Sequence, residues 1–394
     1  MRKQSNNLHI EDVQNIDQMY ALEREWTALG QAGAPDFTYF QTYAWCISWW
    51  ENVGQYLDQA TPHILCARRD EVLVAVWPLM SIREKFGVKT LVPLGYPHVE
   101  YSNILADTNN FSVEDTDALI DASSQIGSQD LLGLAKVPEP SVLARVSNKL
   151  GHVTPVDEVA SIFDLSEIDS FEQTQSGLSK NSRKRRKQRR KKLDQTGNVK
   201  FQVYWGAQPE YSEMVSQAFR MKREWLNLTG RNDSKFLVPG YEEFISALPG
   251  EGDAREGAVA GVLSVDGNPV AIEIGFVQLG HYYAYIGAFD WGKRDLSVGK
   301  IQMEETLNWA IETGLEKYDL LAEPANYKDS WSNMQVPLAS YVQARSIKGY
   351  AWGVFWQLSL RPRFKLLFNR MPISARTRVL KALQSVKQLN SRAE

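Results

Sequence analysis

Apolar and polar positions are most tightly organised between Val259 and Phe289. Val259 to Val265 and Val270 to Val277 are apolar, largely β-branched runs separated by Asp266-Gly267, a pair suited to a two-residue hairpin, and Leu279-Gly280 turns the chain again into His281 to Phe289. Runs joined this closely predict an antiparallel meander, because a parallel pair needs a crossover of roughly a dozen residues or more. After Asp290 the period changes. Residues 291–300 form a loop with two glycines and three cations, Lys293, Arg294 and Lys300, which opens a helix with an apolar face of Ile301, Leu307, Ala310 and Ile311 and a stop at Gly314. A short strand follows at 318–321. This strand, loop, helix, strand order brings backbone N–H groups and the positive end of a helix dipole to the loop, which predicts an anion site.

Upstream, the pattern predicts helices over 17–29 and 40–53, strands at 64–67 and 72–80 joined at Asp70-Glu71, and further strands at 89–94 and 101–105. An acidic helix over 113–125, a strand at 131–135, a helix over 141–150 and a strand ending near Leu165 complete the first half. Helices over 210–228 and 241–248 then precede the meander, so one element order is used twice. The copies differ where the helix after the strands begins. The first opens with Glu114, Asp115 and Asp117, which complement the dipole and repel phosphate, whereas the second opens among Lys293, Arg294 and Lys300. If one copy binds an anionic ligand, it is the second.

Composition fills in the picture. A chain of 394 residues with 43% hydrophobic content has room for two lobes with substantial cores. Its two cysteines, Cys46 and Cys66, give neither a disulfide framework nor a zinc site, and five scattered histidines argue against a metal enzyme. Residues 1–12 are polar and no run approaches a membrane span, so the expectation is a cytoplasmic protein, with peripheral contact at the inner membrane face left open. The net charge of −3 conceals segregation. Residues 180–192 hold ten of the 44 Lys and Arg and no acid; residues 361–394 hold nine and one of the 47 acids, leaving 25 bases against 46 acids elsewhere. Three readings of the 180–192 segment stay open: a solvated helix between the lobes lying over acidic surface, a phosphate or tRNA contact, or a membrane-surface contact. It carries no apolar residue at helical spacing, and without interleaved aromatics it disfavours sequence-specific DNA or RNA reading. The tail, with Phe364, Leu366, Leu367 and Phe368 among basic residues, reads either as an interfacial segment followed by a basic helix or as a helix packed on the second lobe.

The motifs together resemble the CelD-type acetyltransferases, a branch of the GNAT acyltransferase fold related to the FemAB peptidyltransferases. The residues are Phe40-Gln41 with Trp45 and Trp49-Trp50; Pro78-Leu79; Leu94-Gly95; the cationic 178–197 segment; Pro269-Val270-Ala271 with Gly275-Phe276; Gly299 at the helix start; Gly314 with Tyr318-Asp319; and Tyr327-Lys328 with Trp331. The resemblance spans about residues 20–350. It implies an α/β (α+β) fold of tandem GNAT-like lobes, each a mixed, mostly antiparallel sheet flanked by helices. The first lobe is expected over 15–170, a basic interlobe segment over 171–200, the second lobe with the cofactor site over 201–350 and a basic tail over 351–394. The implied activity is transfer of an acetyl or other acyl group from acyl-CoA to an amine or hydroxyl of a small-molecule, cell-envelope or polysaccharide acceptor, without a metal. An aminoacyl-tRNA-dependent transferase and a non-catalytic adaptor in exopolysaccharide production are the alternatives.

On this resemblance Arg294, Ser297, Gly299 and Lys300 are the cofactor-loop candidates, and Ala288 and Phe289 would offer a strand edge to the pantetheine arm. In the family's compact phosphate loop an Arg or Gln stands closer to the first glycine; here Arg294 lies five residues before Gly299. Tyr327 is the general-acid candidate, or else packs on Trp331 four residues on. Lys328 stabilises negative charge or is a solvated cation. Glu273, on one strand face with Ala271 and Gly275, has room for a ligand and is the candidate base, with Asp290 and Glu323 as replacements; the plainer reading turns it to solvent or an ion-pair partner. His281 reads as structural.

Overall fold

The computed structural model describes residues 8–32, 38–153, 158–176, 178–230, 233–322 and 331–360, with side chains as far as Trp356. Strands of the first half are β1 (Leu8–Val13), β2 (Thr61–Arg69), β3 (Val72–Arg83), β4 (Lys89–Pro93), β5 (Leu105–Ala106), β6 (Leu131–Pro138), β7 (His152–Val153) and β8 (Glu158–Asp164). Its helices are α1 (Ile16–Ala21), α2 (Glu23–Ala32), α3 (Tyr43–Asn52) and α4 (Val113–Ser124). The short α5 (Phe171–Thr174) and the basic α6 (Lys180–Asp194) lead into the second half. That half comprises β9 (Val199–Trp205), α7 (Pro209–Thr229), α8 (Tyr241–Ala247), β10 (Gly250–Glu251), β11 (Glu256–Val265), β12 (Asn268–Gln278), β13 (His281–Phe289), α9 (Val298–Glu312), β14 (Lys317–Asp319) and β15 (Met334–Ala344). A last helical stretch, α10 (Ile347–Gly349), runs into a wide π-type helix, Tyr350–Leu360. No helix of the described residues is long and apolar enough to cross a membrane.

The expected hairpins form. Val265 pairs with Asn268 across Asp266 and Gly267, both at positive φ, and Arg69 pairs with Val72 across Asp70 and Glu71, also at positive φ. Two consecutive left-handed residues match the twist of the flanking strands, which is why the antiparallel meander β11-β12-β13 closes so tightly.

The strands of the described residues join one mixed, mostly antiparallel sheet, twelve of them in the order β1-β2-β3-β4-β6-β15-β8-β14-β13-β12-β11-β10, with β5 beside β3, β7 beside β15 and β9 beside β11. The order is nearly symmetric about the β15/β8 pair. On one side β4 runs parallel to β6, and on the other β13 runs parallel to β14. The halves exchange strands at the centre: β8 pairs with β14, and β15 pairs with β6 as well as β8. Hydrogen bonding thus crosses the sequence limits of 15–170 and 201–350. The strand β15 was not expected, because Pro337 and the polar Gln335, Ser340 and Gln343 interrupt any alternation.

Local corrections follow from capping and packing. The helix expected over 17–29 is divided at Leu22 into α1 and α2. Residues 141–150 hold only a 3-10 turn, Ala144–Lys149, kinked at Val146. The strand expected at 101–105 is reduced to β5, because Tyr101 turns inward, its hydroxyl donating to the Asp319 carboxylate at 2.9 and 3.0 Å. The aromatic α3 seals the halves together: Trp45 lies 4.8 Å from Phe244 and 5.4 Å from Phe276, and Tyr39 stacks on Phe276 at 4.6 Å, with these rings fully buried.

The basic segment does have an inward face, made of arginine. Arg186, Arg189, Arg190 and Leu193 recur at i, i+3, i+4 and i+7 and turn toward α9. Glu304 accepts from Arg189 at 2.9 Å and lies 3.6 Å from Arg186, Glu305 pairs with Arg190, and Arg186 lies 3.7 Å over the Trp331 ring. An acidic surface therefore relieves the like-charge repulsion on this side of α6. Lys180, Arg183, Lys184, Arg185, Lys187, Lys191 and Lys192 remain exposed.

Candidate active site

β13 and β14 are paired only where His281–Tyr283 lie beside Lys317–Asp319, and beyond Tyr283 they part. The opening is widened by a β-bulge, since Ile274 pairs with Ile286 but Gly275 pairs with Ala284, leaving Tyr285 as the extra residue. Its hydroxyl donates to the His98 carbonyl at 2.7 Å, which ties the bulge to the first half.

A cavity of about 460 Å³ lies between the end of β13 and the start of α9. Every expected cofactor-loop and strand-edge residue lines it: Ala288, Phe289, Arg294, Ser297, Gly299 and Lys300, together with Glu273. Ser297 enters α9 at φ 57°, and no side chain caps the helix. The equivalent start of α4 is closed: Ser112 and Asp115 form a reciprocal capping box, and Asp115 also pairs with Arg69 at 2.7 Å. The asymmetry expected from the acidic and basic openings is thus present in the hydrogen bonding.

Glu273 is buried rather than turned to solvent. Its Oε1 accepts from the Tyr318 hydroxyl at 2.6 Å and the Tyr282 hydroxyl at 3.0 Å. Burial pushes its pKa up, against the opposing pull of the hydrogen bonds from Tyr318, Tyr282 and Thr306. The room beside it is not where the sequence suggested. A Cβ on Gly275 would sit 2.3 Å from the Tyr282 ring, so that glycine admits the tyrosine to the carboxylate. The free space is across the strands at Gly287, which pairs with Glu273 and whose missing side chain leaves nothing within 4 Å.

A second, smaller cavity of about 170 Å³ lies between the halves, lined by Glu100, Lys222, Lys235 and Tyr285 among others. Glu273, Gly287 and Met303 line both cavities, so the two share a wall at these residues. Glu100 comes from the first half and pairs with Lys136 and with Lys235, the latter at 2.5 Å. Burial works against its charge, but Lys235 and Lys136 outweigh it and hold its pKa below the usual value. His98 behind it is fully buried, accepts from Trp49 Nε1 at 3.0 Å, and burial lowers its pKa to about 4, so it is neutral at physiological pH. Sequence reading missed Glu100, Lys136 and Lys235, which belong to segments far apart in the chain.

Asp290 is not among the lining residues. Its Oδ1 accepts from the Gly292 N–H at 2.8 Å and caps the turn Trp291–Leu296. His281 stacks on Tyr283 and lies 3.4 Å from Asp319. Tyr327, Lys328 and Glu323 lie outside the described residues, as does the tail from residue 361.

The donor set suits an extended, phosphorylated thioester. The uncapped start of α9 with Arg294 and Lys300 offers donors to phosphate, and the parted edge of β13 offers backbone groups to an amide-bearing arm. Gln302, 3% exposed in the cavity wall, keeps its Oε1 without a partner.

Known proteins lead to the same fold. Residues 180–329 match the family model of an acetyltransferase (GNAT) domain. The C-terminal domain of a putative lysylphosphatidylglycerol synthetase from Agrobacterium fabrum superposes with a TM-score of 0.56 at 12% identity, covering 84% of this chain and 94% of that one. FemX superposes with a TM-score of 0.56 at 11% identity, covering 85% and 95%. No curated protein matches the sequence. Residues 180–329 are thus similar to an acetyltransferase (GNAT) domain, and the chain has a GNAT-like fold.

Proposed function

We propose that the chain is an acyl-CoA-dependent acyltransferase in which Glu273 is the general base for an amine or hydroxyl nucleophile held between the halves. The observation that carries this reading is the position of Glu273, a buried carboxylate of raised pKa on the wall common to the donor cavity and the interlobe cavity. Phosphates would rest on Arg294, Lys300 and the start of α9, with Ser297 and Gly299 shaping the loop, while Ala288 and Phe289 present the strand edge. Acyl transfer needs the nucleophile deprotonated, the oxyanion stabilised and the departing thiolate protonated. Glu273, whose pKa burial raises, is a stronger proton acceptor than an ordinary carboxylate and is suited to the first task. Tyr327 and Lys328 are the proposed acid and oxyanion partner.

The acceptor proposed is a small-molecule or cell-envelope precursor, a CelD-type role in polysaccharide production being one form of this, and the setting is the cytoplasm. The exposed cations on the outer face of α6, beside the donor loop, favour a second reading in which the acyl donor is an aminoacyl-tRNA. Thermal shift separates the readings. Acetyl-CoA should raise the melting temperature and Lys300→Glu should remove the rise. A rise with tRNA alone sinks the first reading, and no rise with either ligand points to the adaptor.

A further inference from the structure

The first half has a notch of its own that this reaction leaves unused. β4 and β6 are parallel neighbours only at Thr90–Leu91 against Leu131–Leu132, and then they part as β13 and β14 do. The gap is a trough of about 820 Å³ whose walls include Val92, Pro93, Leu134, Val342, Trp352 and Trp356. It is not a second donor site, because the start of α4 is not among its walls and is closed by its own capping box.

Both ends of the trough are informative. At the inner end are Lys136 and Lys235, the two partners of Glu100, and Lys235 also lines the interlobe cavity, so the trough and that cavity meet at one side chain. At the outer end Trp352 and Trp356 stack at 6.3 Å and, with Lys85, border a further hollow of about 490 Å³. Phe86, 5.5 Å from Trp352, is 83% exposed, and the helical stretch that carries the two tryptophans leaves further large apolar side chains open: Ile347 is 92% exposed, Tyr350 53% and Phe355 58%. Lys85 and Lys348 are exposed among them. Aromatic rings interspersed with lysines suit the boundary of a bilayer, where the rings sit at headgroup level and the cations meet anionic lipid. The chain leaving this helix, residues 361–394, carries nine Lys and Arg and one acid, which is complementary to the same surface.

We propose that the first-half trough holds the hydrocarbon chain of a membrane lipid that serves as the acyl acceptor, with its headgroup passing Lys235 into the interlobe cavity. The fate of the headgroup rests on the acyltransferase reading; binding of the chain does not. In the transfer the thioester C–S bond breaks as the acyl carbon forms a C–N or C–O bond to the headgroup. The headgroup's proton passes to Glu273, and the departing sulfur takes a proton from the proposed acid, Tyr327, and leaves as the thiol.

The test uses the full chain and dansyl-undecanoic acid as a fluorescent probe, displaced by lysophosphatidylglycerol or by cello-oligosaccharide. Gly133 lies in the trough wall, where a Cβ would meet only Thr90 and Val92 at 3.8 and 3.9 Å, so Gly133→Leu projects into the space without forcing the strands apart. The probe is expected to bind and lysophosphatidylglycerol to displace it. Gly133→Leu should weaken the probe roughly tenfold or more, equivalent to about 1.4 kcal/mol, with the acetyl-CoA shift intact. Ala135→Phe, at an exposed position on the same strand face, gives the same readout should the first variant not fold. Probe affinity unchanged in a folded variant, or displacement by the oligosaccharide and not by the lipid, overturns the proposal. Probe binding that responds to Gly133→Leu while the wild type ignores acetyl-CoA would sink the acyl-CoA reading and uphold the trough's ligand.

Discussion

Glu273→Gln separates the chemistry of the site from its packing. Glutamine keeps the shape, and its amide oxygen can still accept from Tyr318 and Tyr282, which stand 2.6 and 3.0 Å from Oε1 in the native protein. What it loses is the ability to take a proton. A positioned general base is worth about 10²- to 10⁴-fold, so kcat/KM should fall by that factor, about 3–5 kcal/mol of barrier. Thiol release from the acyl donor measures it, and the wild type should show a rise with pH through the carboxyl's raised pKa that the variant lacks. Stability gives a second readout that needs no substrate. Because burial raises the folded pKa of Glu273, the native state binds this proton more tightly than the unfolded chain. The wild type then loses stability as pH climbs from the unfolded value to the folded one, about 1.4 kcal/mol per unit of separation, and the variant does not. Glu273→Gln should therefore match the wild type in acid and exceed it at neutral pH in urea unfolding. Activity retained within about threefold, or a stability difference that is the same in acid and at neutral pH, would refute the assignment.

The remaining predictions concern the supports of the site. Glu304→Ala leaves Arg186 and Arg189 facing α9 without their carboxylate and should cost about 3 kcal/mol in urea unfolding; a cost within experimental error would mean that α6 is not held by its arginine face. For Glu100 the sign is opposite to that of Glu273. Its pKa is lowered on folding, so its contribution is present above the unfolded value and lost as pH falls through the folded one. Glu100→Gln should accordingly be less stable than the wild type at neutral pH, and acid titration of both should close the gap. Residues 8–200 expressed alone lack both sheet neighbours of β8, β14 and β15, and are expected to elute as aggregates without a cooperative melt; a monomeric, cooperatively melting fragment would show that the strand exchange is dispensable.

What the sequence disclosed is what was written locally. The meander was legible because Asp266-Gly267 and Asp70-Glu71 fix their hairpins by turn chemistry alone, and the residues that line the cavity at the start of α9 were legible as a group because they lie within the continuous stretch from Ala288 to Lys300. Glu100 and Lys235 are separated by 135 positions, and no local pattern joins them. The docking face of α6 was hidden for another reason. Its residues recur at helical spacing, but they are arginines, and a search for apolar periodicity passes over a stripe whose partners are Glu304 and Glu305. The signal that would have found it is the pair of adjacent carboxylates on the exposed side of α9's apolar pattern.

The two notches show how one backbone plan yields two chemistries. In both, a pair of parallel strands parts after two or three paired residues, and in chain order a helix lies between the two strands. The difference lies in how each helix start is satisfied. Ser112, Asp115 and Arg69 complete the first within the protein, so it has no remaining demand for an anion; the second is left to Ser297, Arg294 and Lys300. The demand for an anion at a helix start is thereby confined to one notch. Since β8 and β15 are exchanged across the centre of the sheet, the notches cannot shift relative to one another without breaking strand pairs. Glu273 stands where the donor cavity meets the space between the halves, and a reaction joining ligands from the two sides would proceed there without a large closure of the lobes.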